Sequence, residues 1–555
     1  MQTSRPLRAL RPPEALALPA GAVTTQAEAA MPAGDAGSSS SGRVDEARRR
    51  VLHLATVPLL LASTVAPMAL GRSPALAALA VLGVAALIVL ATMPVRLALL
   101  IVALVPITSG LRRGLPVPGL RLSELLIGVA AVGVLLLPLQ RRPRWTPLDA
   151  AVVTFALTGA VIPLIDLFVY AGRYPGVGDL QTVMGPLQFL LLYRVTTDVL
   201  RSASAQRLAQ RLLLLASLPV SALAVGEAIG PPFLHQTLVG LTATTAFNTR
   251  GYTAVPRAAS VFPIWLALAG YLLVVVLLAL SLVLGRTKDV LPRWGLLTVI
   301  LLGVLAIVAS LSLTAIAMVI VGGVHLGWKH GQLTRTLALL GVAGLITVAV
   351  FGSLITQRVD AQAQPETRTR SAGPAWLPQT LAYRVEIWKE QYLGVVIKYS
   401  ATGYGTEYPP EVSWGHTESG YLTLLLRGGV PYLSAAAVLL YAVAHRCRRG
   451  LENEPPPPGR ALLYAAQTLV LVQIPLNLTF PYLTASGMPQ ALWIVFGLVG
   501  AQELAGDRVL QLNGAPGPAS VHDIGPASVH DITDPMTNDI KIPMAGEPIG
   551  SEERR

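Results

Sequence analysis

The chain has 555 residues, 53% of them hydrophobic and only 13% charged, with a mean hydropathy of +0.58. Soluble domains carry roughly 25% charged residues, and a chain this apolar exceeds what one water-soluble core can bury, so lipid is the expected solvent. The net charge of +12 does not point to nucleic acid, because the arginines fall in short clusters between apolar runs, as positive-inside sorting places them. The single cysteine, Cys447, excludes an intrachain disulfide and a thiolate metal cage. It reads as an inert thiol, with lipidation inside the cluster His445-Arg446-Cys447-Arg448-Arg449 as the alternative.

Residues 1–47 are rich in Ala, Pro, Gly and Ser and read as a disordered cytoplasmic tail, without the apolar core of a signal peptide close behind the first basic residues. Arg48-Arg49-Arg50 then open the membrane region. The apolar runs are continuous and rich in Leu, Ala and Val, so they predict helices rather than barrel strands. A span needs about 20 apolar residues, which gives about fourteen helices, or twelve if weak ones fail. They are expected at 51–70, 74–93, 95–109, 122–139, 147–170, 182–199, 209–230, 259–284, 295–311, 313–328, 336–356, 418–444, 461–481 and 486–504. The run 295–328 is split because it exceeds one span. The segment 182–199, with Gln188 and Arg194, reads as a re-entrant or interior helix.

With the N-terminus inside, alternation puts Arg141, Arg142, Arg144, Arg201, Arg207, Arg286, Lys288, Arg293, Lys329, Arg335 and the 446–460 arginines inside, against fewer outside. Only the loop 110–121, with Arg112, Arg113 and Arg121, argues the other way. The expected organisation is a tail, 1–47; an N-terminal transmembrane region, 48–356; an external loop, 357–417; C-terminal transmembrane helices, 418–504; and a cytoplasmic tail, 505–555. That tail repeats an octapeptide at 517–524 and 525–532; recent duplication explains its His522, Asp523, His530 and Asp531 better than metal binding.

A loop as long as 357–417 is a candidate functional element. Residues 382–398 carry Val385, Trp388, Tyr392 and Val396 at helical spacing, which predicts a helix lying at the membrane surface with Arg384 near lipid phosphates. Thr402-Gly403-Tyr404-Gly405-Thr406 is a glycine turn that permits close backbone approach. His416 then falls at the outer mouth of the next helix, where a neutral imidazole can take a proton from a hydroxyl, and Glu418 can orient it or act itself. Each has a plainer reading: a capping histidine, a solvated arginine, an ordinary turn. Asp166 and Arg194 are costly in lipid and are expected to face the interior and pair. Glu124 and Glu227, near outer helix ends, are candidates to touch an acceptor.

Arg384 and Trp388 as R-x-x-x-W, then Gly403 and Gly405, then His416 followed by Leu424–Leu426 and Gly429, resemble the O-antigen ligase and O-antigen polymerase family. Arg257-Ala-Ala-Ser-Val-Phe-Pro263 is similar to a further element of that family. The resemblance spans about residues 120–500 and departs at Thr417, at Thr314-Ala-Ile and at Gly428-Gly429-Val430-Pro431. It implies an all-α polytopic, GT-C-like glycosyltransferase of the plasma membrane, with its active site on the outer face. The implied donor is an undecaprenyl-diphosphate-linked glycan, the acceptor a second glycan or a lipid, and further polysaccharide-assembly proteins are possible partners. His416, Arg384 and Glu418 are then the catalytic candidates, and Arg257, Gly403, Gly405 and Trp388 the substrate-binding ones. No Asp-x-Asp motif is evident, so no metal and no cofactor are expected, arginines taking the place of the metal on the leaving diphosphate. Polymerase and ligase share this chemistry and stay unresolved. The rival class is a transporter or flippase, against which the sequence offers no repeat of broken helices.

Overall fold

The computed structural model describes residues 93–113, 121–136, 145–242, 257–363, 379–413, 417–485 and 487–514. The described residues form helices and connecting turns, with no strand beyond one isolated bridge between Leu111 and Thr242. In chain order the helices are α1 (Pro94–Thr108), α2 (Leu122–Leu136), α3 (Pro147–Asp166, continued by a π turn, Leu167–Ala171), α4 (Val177–Val199), α5 (Ala203–Ile229) and α6 (Pro232–Leu241). Then follow α7 (Trp265–Leu284), α8 (Arg293–Ala309), α9 (Leu313–Lys329), α10 (Leu333–Ala363), α11 (Gln379–Ile387), a π turn (Trp388–Tyr392), α12 (Leu393–Lys398), α13 (Gly420–Glu452), α14 (Pro457–Leu476) and α15 (Met488–Gly514).

Six stretches among the described residues are long and apolar enough to cross a membrane: Pro147–Ala171, Ala203–Ile229, Trp265–Leu284, Leu333–Gln357, Gly420–Glu452 and Pro457–Leu476. Five shorter apolar helices accompany them, in α1, α2, α8, α9 and α15. The helices expected at 51–70 and 74–93 lie outside the described residues, apart from Met93, as do residues 1–47 and most of 505–555. The split of 295–328 matches two helices, turned at Ser310–Ser312 with Leu311 at φ 52°. The helix expected from 259 begins only at Trp265, and α6 falls where none was expected.

α7 is the centre of the bundle. Every one of its residues is buried, although the helix is apolar all round, so its neighbours take the place of lipid. Small residues let backbones approach it. A Cβ on Gly303 would lie 2.5 Å from Val276, and one on Gly322 would lie 2.8 Å from Leu277. At one end of the bundle Ser281 of α7 donates to the carbonyl of Ala461 at 2.7 Å and meets His330 at 3.0 Å, tying α7, α14 and the end of α9.

Interior charges are distributed differently from the sequence expectation. Arg194 pairs with Asp149 and Asp198, each at 2.8 Å, and not with Asp166. The reason is antiparallel packing: the C-terminal half of α4 lies beside the start of α3, whereas Asp166 closes α3 at the other end. Asp149 serves twice, also accepting the backbone N–H of Thr146 at 2.8 Å in a capping box. Of the arginines before α2 that oppose the charge bias, Glu124 takes the Arg113 guanidinium at 2.8 Å and the backbone N–H of Arg121 at 2.9 Å.

α13 is not one continuous helix. Gly428 (φ −148°, ψ 19°) and Gly429 (φ 62°, ψ −159°) break it, with Pro431 just beyond, so the chain does contain a broken helix that the sequence reading did not anticipate.

Candidate functional site

The break in α13 positions the site. Gly429 carries a positive φ, which only glycine adopts without strain, and a Cβ there would lie 2.6 Å from the carbonyl oxygen of Ala401. The loop 400–405 docks into this notch. The N–H of Tyr404 donates to the carbonyl of Leu426 at 2.6 Å, and that of Val430 to the carbonyl of Ser400 at 2.8 Å. Gly403 (φ 88°) and Gly405 (φ 114°) make the docking possible: a Cβ on Gly403 would meet the Gly428 nitrogen at 2.7 Å, and one on Gly405 the Pro163 carbonyl at 3.0 Å. The expected close backbone approach is therefore present, and what the two glycines approach is the backbone of α13 and α3.

Helices α11 and α12 lie over the first turns of α13. Ile387, Tyr392, Val395 and Leu426 form a small apolar cluster, with Trp388 and Leu422 at its edge. The π turn at 388–392 interrupts the even spacing: Ile387 and Val395, on either side of it, are buried with Tyr392, Val396 is partly buried beside them, and Val385 is not in the cluster. The face of this helix that carries Ile387, Tyr392 and Val395 is covered by protein, while Leu393 and Ile397 stay exposed. Arg384 accordingly turns inward. Its guanidinium reaches Oε2 of Glu418 through Nη2 at 3.0 Å and Nε at 3.2 Å, with the two side chains 17% and 23% exposed. Trp388 fastens the same corner, its indole N–H donating to the carbonyl of Thr417 at 2.8 Å. Glu418 has φ 50°, a conformation uncommon for a non-glycine residue and one that the surrounding bonds hold. Ser419 and Gly420 are held by Asn477, whose carbonyl accepts the Gly420 N–H at 2.7 Å.

His416 lies outside the described residues, together with Trp414 and Gly415. The structure thus brings Arg384, Trp388 and Glu418 together and seats Gly403 and Gly405 next to them along α13. Arg257 stands on another loop, with its guanidinium 4.5 Å over the Trp265 ring. The turn that carries it is built by Glu227, which accepts the N–H groups of Ala259 at 2.9 Å and Ser260 at 2.7 Å and meets His235 at 2.7 Å. That engagement, with only 3% of the side chain exposed, gives Glu227 a structural role in place of the acceptor contact expected.

Several residues here escaped the sequence reading. Tyr482, buried on the loop after α14, feels the charges of both Arg384 and Glu418. Arg427 lies one residue before the break. Arg173 bridges Asp179, at 2.7 Å, to Glu407, at 2.6 Å, and Thr406 donates to the same Asp179. The Arg173 guanidinium, with help from Thr406 and the Gly176 N–H, holds the Asp179 carboxyl well below the usual carboxylate range. The clue available in sequence was polarity: Arg173, Asp179 and Asn477 interrupt or border otherwise apolar runs. Among the described residues no cluster of His, Cys, Asp or Glu has the arrangement of a metal site.

Fold and site together define a helical, multi-pass membrane protein with a structured loop region packed on one end of its bundle. Comparison with known protein families and with curated proteins finds no match to this chain.

Proposed function

We propose that the protein is a plasma-membrane glycosyltransferase that polymerises or transfers a glycan carried on undecaprenyl diphosphate during assembly of a cell-surface polysaccharide. The observation that carries this reading is the Arg384–Glu418 pair, 3.0 Å and partly buried, clamped by Trp388 at the end of the chain segment that contains His416. In the reaction the acceptor hydroxyl loses its proton, a new glycosidic bond forms, and the sugar–diphosphate C–O bond breaks. Negative charge develops on the departing lipid diphosphate. Arg384 and Arg257 offer planar guanidinium forks to phosphate oxygens. His416 takes the hydroxyl proton, and Glu418 sets the orientation of Arg384 or accepts the proton itself. The scheme uses no cofactor. A groove between α8, α9 and α10, lined by Ile307, Leu311, Ile316, Ile320, Val348 and Ile355, is apolar enough for an isoprenoid tail and supports a lipid-borne donor. On this reading the site faces the periplasm or exterior and both termini the cytoplasm.

The broken helix α13, with Arg427 at its break, favours one second reading, a transporter or flippase for a glycan lipid or small solute. The deciding experiment incubates purified protein with a lipid-diphosphate-linked oligosaccharide repeat in EDTA, beside His416→Ala and Arg384→Ala. A ladder of longer lipid-linked glycans made only by the unaltered protein establishes a metal-independent polymerase. Product that requires a separate acceptor establishes a ligase. No product with any acceptor or metal, together with lipid-linked glycan crossing proteoliposomes, establishes transport instead.

A further inference from the structure

We propose that Tyr170, Tyr399 and Tyr404 form a sugar-binding platform at the rim of this site, taking a neutral or amino sugar ring of the glycan by stacking. The proposal rests on the glycan reading above and adds the subsite that holds the sugar chain.

The three rings come from two segments, Tyr170 from the end of α3 and Tyr399 and Tyr404 from the stretch after α12, and meet one another. Tyr170 and Tyr404 are nearly parallel, 15° apart with centroids 6.0 Å distant, and so present a stepped double face. Tyr399 stands edge-on to both, at 78° and 70° with centroids 5.1 Å away, and braces them. Tyr170 is 41% exposed and the other two are half-buried. Local backbone devices put the rings there. Tyr170 sits in the π turn that ends α3, closed by Gly172 at φ 59°. Tyr404 is held between two glycines of positive φ seated on α13 and α3. The hydroxyls of Tyr170 and Thr402 lie 3.5 Å apart.

A sugar ring has a face of C–H groups with partial positive charge, which matches the negative face of an aromatic ring. Its hydroxyls, at the ring edge, need planar acceptors. Glu407, 58% exposed and paired with Arg173 at 2.6 Å, and Glu411, 43% exposed and paired with Lys398 at 2.7 Å, stand on the same loop and keep carboxylate oxygens free to accept further bonds. An aromatic belt at the lipid headgroups would consist of rings spread along the membrane boundary. Tyr170 meets the other two rings across more than two hundred residues of sequence, as the Tyr170–Thr402 separation of 232 shows.

The test uses the full-length protein in nanodiscs. The probe is the lipid-free oligosaccharide mixture released from the envelope polysaccharide of the organism that makes this chain, with binding read by saturation-transfer NMR. We expect binding by the unaltered protein, at least about tenfold weaker binding for Tyr170→Leu/Tyr404→Leu, and near-normal binding for Tyr170→Phe/Tyr404→Phe, because phenylalanine keeps the π face. The Phe pair also controls for folding. Absence of oligosaccharide binding by the unaltered protein, or equal binding by the Leu pair, overturns the platform and leaves the rings as a membrane belt. Transfer activity is measured in parallel. Loss of transfer in Arg384→Ala with oligosaccharide binding indifferent to the Leu pair removes the platform but keeps the transferase. Binding that depends on the tyrosines in a protein without transfer activity does the reverse.

Discussion

At the residue scale the informative positions are charges whose partners come from distant sequence. Arg384 and Glu418 form a partly buried pair in which each justifies the other, so removing one leaves the second without compensation. We expect Arg384→Ala to cost roughly 1–3 kcal/mol of stability, from the unsatisfied carboxylate, and Arg384→Ala/Glu418→Ala to recover part of it. If the protein is the proposed transferase, glycosyl transfer should fall by on the order of a hundredfold or more in both, since restoring the balance of charge does not restore a donor to the diphosphate. Thermal unfolding and transfer rates measured on the same samples separate the two effects. A double variant that regains activity would remove Arg384 from the chemistry.

The Arg173–Asp179 pair gives a pH prediction with a defined sign. Arg173 depresses the Asp179 carboxyl in the folded protein below the ordinary carboxylate value of 3.8. A depressed carboxyl stabilises above its unfolded value and loses that contribution as pH falls through the folded one. The stability gap between the native protein and Asp179→Asn should thus be constant from neutral pH down to about 4 and shrink only below it. A gap that closes already between pH 7 and 5 would point to a histidine and away from this pair.

At the scale of elements, the notch in α13 and the loop docked into it form one unit. Three glycines of positive φ, Gly403, Gly405 and Gly429, sit where backbone meets backbone. Gly429→Ala should cost about 1–3 kcal/mol through strain and steric conflict. It should also release the loop 400–405, seen as faster proteolysis and hydrogen exchange there. Gly128→Ala in α2, where no atom lies within 4 Å of the added carbon, should be neutral or slightly stabilising. Equal protection of the loop in Gly429→Ala would mean that side-chain packing, and not the notch, holds it. The π turns at 167–171 and 388–392 both border this unit. Each adds a residue to a helix and so shifts the side chains on one side of it relative to those on the other, which an even helical spacing carried through 385–396 does not follow.

At the scale of the molecule, the connectivity from α3 onward alternates between two ends of the bundle. The loop region and Asn477 fall at one end, and Ser281, His330 and Ala461 at the other. The lone, buried Cys447 makes this testable by labelling. In a Cys447→Ser background, Glu390→Cys should react with a membrane-impermeant maleimide in intact cells, and Lys288→Cys only after permeabilisation. Reaction of both from the same side would break the alternation.

The sequence by itself determined the solvent, the element type and most helix positions, because these follow from the local density of apolar residues and from the need to satisfy backbone hydrogen bonds within each apolar segment. It also marked Arg384, Trp388, Gly403, Gly405 and Glu418 as belonging together, with Arg257, which stands on another loop, and His416, which lies outside the described residues. Only the tertiary structure decided what they touch. Antiparallel packing gave Arg194 to Asp149 rather than to Asp166. A glycine break let a loop enter α13. A turn with two backbone N–H donors to satisfy consumed Glu227. Each depends on which helices lie side by side, and that is fixed by packing between segments far apart in the chain.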